Sequence, residues 1–363
     1  MGMIRDYLKS FLSAKFPNFL DFLCLAHQFL IWHKTNLAMH LRPRMREAEL
    51  QRWEKFPLQQ LDIELTNICN ANCIFCGYQY QQRPHATMSD TVFTKALTQY
   101  KAMGGKRLVF SPLVGENLVD RHCLQRLEWA SHLNFENIHF ITNGILLEKT
   151  DVNRLLRSGI TSMSISMSGF DPDEYMRIYR NRSYPKLMRG IDQLLMANEQ
   201  SGHRVGIMFL IRSDTPKHVN LQRPDFISRI KPFLRCADKA SGKQAVEVGF
   251  TPFYDSWGGM IKQSDLPPEM RLNRIYDSRK IPCYGTFNLK LLHDGKVEIC
   301  GCRFSNIVKQ NELLIGNIND NALTEIYNSK QSGRFMRRFT NGDTPHICKN
   351  CHYYFPVDLY FSS

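Results

Sequence analysis

Three closely spaced cysteines behind a strand constrain this chain more than any other feature. Residues 61–65 alternate apolar and acidic side chains with the period of two of a half-buried strand. The strand runs directly into Cys69, Cys73 and Cys76. Thiolate is the ligand that iron–sulfur clusters need. Three thiolates on one loop can hold three corners of a four-iron cluster and leave the fourth iron open to a small molecule. A zinc knuckle is the competing reading, but structural zinc takes four ligands in two closely spaced pairs. No partner pair follows at short distance here.

With 363 residues the chain can hold a barrel and one smaller domain. It has eleven cysteines, and its first residues lack the pattern of a basic stretch, an apolar run and a small-residue cleavage site. Clustered cysteines therefore read as metal ligands rather than disulfides, and a reducing cytoplasm is the expected location. The net charge is +13. Residues 1–60 carry nine Lys/Arg against five Asp/Glu, a spread excess, and the densest late basic run is 334–338. A solvated helix face explains that run as well as a phosphate site does, so no specific nucleic-acid partner is expected.

Residues 1–60 read as a helical extension. The stretch 19–32 is apolar nearly all round, with Asp21 and Gln28 on one narrow polar stripe. It is too short and interrupted to span a bilayer. It is expected to pack on the barrel, with docking to a membrane surface or a partner as the other reading.

From residue 61 to about 252, strand patterns (61–66, 107–111, 137–142, 162–166, 204–210, 245–251) alternate with helical ones (90–103, 121–133, 148–157, 185–198). Such alternation predicts a parallel sheet with helices outside. In parallel α/β sheets chemistry sits at the C-terminal ends of the strands, which is where the cysteine loop falls.

The spacing Cys-x3-Cys-x2-Cys, with Phe75 just before the last cysteine, resembles the signature of the radical S-adenosylmethionine (radical SAM) superfamily. The resemblance implies an α/β fold with a partial (β/α)6 TIM-type barrel over 61–264. It also implies a [4Fe-4S] cluster on Cys69, Cys73 and Cys76 whose open iron binds SAM. Later strand ends are similar to the family's SAM-contacting segments. Gly115-Glu116 resembles its Gly-Gly-Glu, which receives the SAM amino group. Thr142-Asn143-Gly144 resembles its Thr-Asn-Gly. Ser166-Met167-Ser168-Gly169 resembles its Ser-x-Asp-Gly, with Ser166 on the ribose and Ser168 in place of the acid. Arg212, after the fifth strand, could pair with the SAM carboxylate. Asp255, in the loop after the sixth strand with Tyr254 and Trp257, is a candidate substrate contact or a turn-capping residue.

Asp265-Leu266-Pro267-Pro268 reads as a linker to a small α+β domain over 265–363. A hairpin signal at His293-Asp294-Gly295 and a helix over 320–328 lie between Cys283 and the Cys348/Cys351 pair. This order resembles the twitch or SPASM-type extension, which implies an auxiliary [4Fe-4S] cluster on Cys283, Cys300, Cys348 and Cys351. Cys302 is either the second ligand or a free thiol able to act in catalysis, and zinc would suit four thiolates equally on geometry. Cys24, Cys123 and Cys236 are expected to be buried.

The implied reaction is reductive cleavage of SAM to a 5′-deoxyadenosyl radical, which takes a hydrogen atom from a substrate. An electron donor such as flavodoxin or ferredoxin is a further implied partner. Oxidative modification of a peptide or protein is the first expectation. Dehydrogenation or epimerisation of a sugar, aminocyclitol or other small hydroxyl compound is the second, and a non-catalytic iron–sulfur partner protein the third.

Overall fold

The computed structural model describes residues 17–43, 46–300 and 312–357, apart from 239 and 252, with side chains from residue 26 except residue 28. Two helices lead in, α1 (Pro17–Leu41) and α2 (Glu47–Glu54). Strands and helices then alternate: β1 (Gln60–Ile63), α3 (Asp90–Ala102), β2 (Arg107–Phe110), α4 (Cys123–Ser131), β3 (Asn137–Thr142), α5 (Val152–Arg157), β4 (Ser162–Met167). After these come α6 (Pro172–Tyr179), α7 (Tyr184–Gln200), β5 (Gly206–Ile211), α8 (Lys217–Asn220) and β6 (Val246–Phe250).

Several helices start on residues suited to the task. Ser89, Asp151 and Asp171 each accept a hydrogen bond from a first-turn amide, and Pro172 follows Asp171 where a missing N–H costs nothing. One face of the sheet, with Leu61, Ile63, Leu108, Phe110, Phe140, Met163, Ile165 and Phe209, is fully buried. Phe110 meets Phe93 of α3, so this face lies under the helices.

Strands β1 to β6 run parallel in sequence order, as the alternation predicts. The sheet does not stop at β1. Past a two-stranded pair, β7 (Phe253–Tyr254) with β8 (Arg271–Leu272), the chain returns as β9 (Asn288–Leu291), which pairs parallel with β1. Strands β10 (Lys296–Ile299) and β11 (Leu314–Asn317) follow antiparallel, giving one nine-stranded sheet, β11-β10-β9-β1-β2-β3-β4-β5-β6. The cysteine-rich C-terminal part is thus continuous with the barrel sheet. Helices α9 (Leu323–Tyr327), α10 (Lys330–Asn341) and α11 (His346–Lys349) complete it.

Charged side chains lock this junction. Register sets Asp62, Lys290 and Glu298 side by side across β1, β9 and β10, all buried. The Lys290 Nζ donates to the Ser111 carbonyl at the end of β2. Just beyond β1, the buried Glu64 carboxylate meets Arg83 at 2.9 Å and His293 Nδ1 at 3.3 Å.

The lead-in helices lie on the C-terminal part rather than on the barrel as expected. Asn36 donates to Asp277 at 2.8 Å and Lys280 donates to the His40 carbonyl at 2.9 Å. Glu47 and Glu54 of α2 both pair with Arg337 of α10 at 2.8 Å. Opposite charge on the two helices gives α2 a partner there. The basic run 334–338 is correspondingly engaged, since Arg338 pairs with Glu312 and Asp343. Among the described residues no helix is long and apolar enough to cross a membrane. Cys123 is buried as expected, whereas Cys236 is exposed. It follows the bridge between Arg235 and Val246 at the edge of the sheet, where nothing further covers it. The side chains of Cys24 and Cys302 lie outside the described residues.

Candidate active site and cluster-binding residues

The cysteine loop is held from both sides. Glu116 N donates to the Ile68 carbonyl at 2.9 Å. From the other side, the C-terminal end of α6 accepts Asn72 N on the Tyr179 carbonyl (3.3 Å) and Ile74 N on the Ile178 carbonyl (2.9 Å). Asn181 Nδ2 donates to the Asn70 carbonyl at 2.7 Å. Backbone carbonyls unsatisfied at a helix end thus fix the loop.

This bracing brings the three thiols within mutual electrostatic reach. Burial pushes Cys69 up to about 12, with the Glu116 carboxylate and Cys76 adding to the effect. Burial likewise raises Cys73 and Cys76, and the Arg212 charge opposes it at both. Three neighbouring thiols, Cys73 buried and Cys69 and Cys76 half-buried, beside one cation fit an iron–sulfur cluster. Metal supplies the positive charge that releases such protons. Arg212 is itself half-buried and is bonded through Nε to Ser166 Oγ at 3.0 Å. Its guanidinium lies 5.0 Å from the Phe75 ring and 5.9 Å from Tyr254. Among the described residues it has no carboxylate partner, which leaves a half-buried cation for an anionic ligand.

The strand-end residues singled out from sequence do meet at this place. The two oxygens of buried Glu116 accept from Thr142 Oγ1 at 2.6 Å and from Asn143 N at 2.7 Å. Asn143 Nδ2 in turn donates to Asn70 Oδ1 at 2.7 Å and approaches Cys69 Sγ at 3.8 Å. Burial raises the Glu116 carboxyl despite these bonds. Gly115 is required by contact: a Cβ there would stand 2.1 Å from the Thr66 carbonyl oxygen. Gly115→Ala should therefore displace the cysteine loop and lower stability by ~1–3 kcal/mol. Thermal unfolding against wild type checks this, and an unchanged midpoint would contradict it.

Asp255 is buried next to Ser256, and Ser256 Oγ donates to the Asn350 carbonyl at 3.2 Å. Trp257 reaches the cysteine loop, with Nε1 donating to the Phe75 carbonyl at 2.9 Å and its ring against Gly77. Sequence reading passed over α6 and its residues Glu174, Tyr175 and Tyr179, although Asp171-Pro172 is a readable helix start. Tyr179 hydroxyl bonds Ser166 Oγ at 2.9 Å, and its ring meets Phe75 edge-on at 5.5 Å. Burial raises the Glu174 carboxyl to about 7, against the hydrogen bond from Ser213. Glu174 also accepts Asp214 N at 2.9 Å, tying α6 to the end of β5.

The C-terminal thiols also converge. Cys283, Cys348 and Cys351 all act on the Arg279 guanidinium, and a Cβ on Gly285 would stand 2.9 Å from Cys300 Sγ and 3.7 Å from Cys283 Sγ. Two backbone amides point at sulfur, Tyr353 N to Cys351 at 3.3 Å and Phe355 N to Cys283 at 3.5 Å. Amides and a guanidinium beside Cys283, Cys348 and Cys351, with Cys300 next to Cys283, suit anionic sulfur and so fit a cluster or a metal ion.

Comparison with known proteins agrees with this geometry. The radical SAM superfamily profile matches residues 63–220, and that of SPASM, an iron-sulfur cluster-binding domain, matches 283–352. The chain is 26% identical over 137 residues to GTP 3',8-cyclase of Mannheimia succiniciproducens, covering 37% of this chain and 40% of that protein. It is 21% identical over 301 residues to the probable GTP 3',8-cyclase of Saccharolobus solfataricus, covering 74% and 91%. The first of these matches spans two fifths of the relative's length. In structure, Streptococcus suis SuiB bound to precursor peptide SuiA aligns with TM-score 0.54 and 16% identity over 86% of this chain and 75% of SuiB. BtrN in complex with AdoMet and 2-DOIA aligns with TM-score 0.51 and 15% identity over 82% and 93%. These two likenesses are of fold.

Proposed function

Because the chain is a radical SAM superfamily enzyme with a C-terminal SPASM domain, we propose that it carries out a net oxidation of a peptide or protein, forming a cross-link or a double bond. The bound cluster and SAM supply the radical chemistry. The protein's own residues supply position and exclusion of water. Cys69, Cys73 and Cys76 are the proposed ligands of the first cluster. Arg212, held by Ser166 and caged by Phe75, is the proposed partner of the SAM carboxylate. Gly115, Glu116 and Asn143 form the wall against which the SAM amino group is placed.

The observation that carries oxidation is the gathering of Cys283, Cys300, Cys348 and Cys351, with amide and guanidinium groups around them. A cluster ligated by four thiolates has no open iron, and so suits it to take an electron rather than to hold substrate. A cleft of about 880 Å³ supports a large substrate. Trp32, Tyr276, Tyr353 and Phe355 line it, with Arg271 and Arg274. Tyr353 also acts on Arg212, so the cleft borders the reaction centre. The described residues lining it include no carboxylate.

A second reading, dehydrogenation or epimerisation of a small hydroxyl compound, is favoured by the N-terminal segment. Family members that modify peptides often carry an N-terminal winged helix with strands, whereas the described residues before β1 form two helices and no strand. Incubation with candidate peptides and polyols in deuterated water separates the two. A peptide that loses two hydrogens, read by mass, is the expected result. A product that loses no hydrogens and gains only the mass of one hydrogen exchanged for deuterium would instead mean epimerisation and would sink the oxidation reading.

A further inference from the structure

We infer that the Tyr175 hydroxyl donates a hydrogen bond to a sulfur atom of the first cluster and holds its reduction potential up; this rests on the reading that Cys69, Cys73 and Cys76 ligate that cluster. Tyr175 sits in the middle of α6, fully buried. Its ring stacks on Tyr179 at 4.9 Å and 8°, and meets Tyr184 at 5.7 Å. Packing therefore fixes where the hydroxyl points. The two neighbouring phenols have partners: Tyr179 bonds Ser166, and Tyr184 donates to Asp225 at 2.7 Å. The Tyr175 hydroxyl has none, although it is shut off from solvent. The side chains acting on it are those of Cys73, Glu116 and Cys69.

A buried hydroxyl with no partner costs about 1–3 kcal/mol. Such a group at a binding site points to what is bound there. Helix α6 carries the loop of Cys73 on its Ile178 and Tyr179 carbonyls, and a cluster held on that loop would offer thiolate and sulfide sulfurs that accept hydrogen bonds. Glu116 is a poorer acceptor, because both its oxygens already hold the Thr142–Asn143 turn. Donation to sulfur favours the form with more negative charge, which is the reduced one, and so raises the potential. The hydroxyl keeps its proton and takes no part in bond breaking. Tyr175 is a positioning residue.

The test is Tyr175→Phe in the reconstituted full chain, with Tyr184→Phe as the control. The readout is a redox titration followed by electron paramagnetic resonance of the cluster whose signal responds to SAM. Tyr175→Phe should retain its iron and show about a tenfold lower ratio of reduced to oxidised cluster at a fixed potential, a shift of about −59 mV for one electron. Tyr184→Phe should not shift. Loss of iron from a folded Tyr175→Phe variant would also support the bond, since only the hydroxyl has been removed. In wild type, an exchangeable deuteron coupled to the reduced cluster should appear in deuterated water and vanish in Tyr175→Phe. An unchanged potential with iron retained, or weakened SAM binding alone, overturns the inference. Absence of iron from wild type would instead overturn the cluster reading beneath it.

Discussion

Replacing Cys69, Cys73 and Cys76 together by alanine should abolish formation of 5′-deoxyadenosine from SAM and remove about half of the iron. Wild type should bind about eight irons after anaerobic reconstitution, and the triple variant about four. The loss of activity should be complete rather than graded, since among the described residues no other thiol is placed to serve. Cys123 is the next buried thiol in the chain, and it opens α4. The fold should survive, because the loop is tied down chiefly by backbone bonds to α6 and to Glu116, the thiols adding only weak contacts such as Tyr78 N to Cys76 Sγ at 3.4 Å. Iron analysis, product detection by chromatography and circular dichroism test each part. Residual cleavage by a folded triple variant would refute the assignment of the first site. Zinc in place of the remaining iron would refute the auxiliary cluster while leaving the first untouched.

A second large effect should appear in stability. Glu64→Gln leaves the Arg83 guanidinium buried without its counter-charge and weakens the tie to His293. Breaking one side of a buried pair costs about 3–5 kcal/mol. Burial pushes the Glu64 carboxyl up, but the His293 hydrogen bond and the Arg83 charge together outweigh it and hold the group below the usual carboxylate value. The sign follows from that. In the unfolded chain the group titrates near its ordinary value, so the contribution is present above it. As pH falls through the lower value of the folded state, the contribution is lost. Wild type should therefore lose stability on acidification more steeply than Glu64→Gln, and the two unfolding curves should draw together. Parallel curves across that range would show that Glu64 does not carry the effect.

What could be read in advance was whatever is local along the chain. Cysteine spacing marked both proposed ligand sets, and strand ends marked Glu116, Asn143, Ser166 and Arg212, which do meet around the cysteine loop. Pattern also found the six parallel strands, with ends shifted by at most three residues. What was not readable depends on contacts distant in sequence. Pairing of β9 with β1 joins residues more than two hundred positions apart. Nothing in the Pro-rich linker announces it. Helix α6 is only eight residues long, too short for its periodicity to stand out, so Tyr175 and Tyr179 were passed over. Cys236 is of a residue type usually buried, and its exposure is decided by its place at a sheet edge. The ion pairs that seat α2 on α10 were invisible for the same reason.

The continuous sheet means that the two cluster sites are not beads on a string. Their separation is set by hydrogen bonds between β1 and β9 rather than by the swing of a linker. An electron passing between them would cross a gap of fixed length, so its rate would be a property of the fold and not of a fluctuating encounter. The same pairing gives the C-terminal part a second task as the cover of an edge. Without β9, strand β1 would present a row of open amides and carbonyls, a template on which further chains add. The auxiliary part could not then be shed in evolution as a detachable accessory. A chain that lost it would have to reseal β1 by other means before it could keep any chemistry at all.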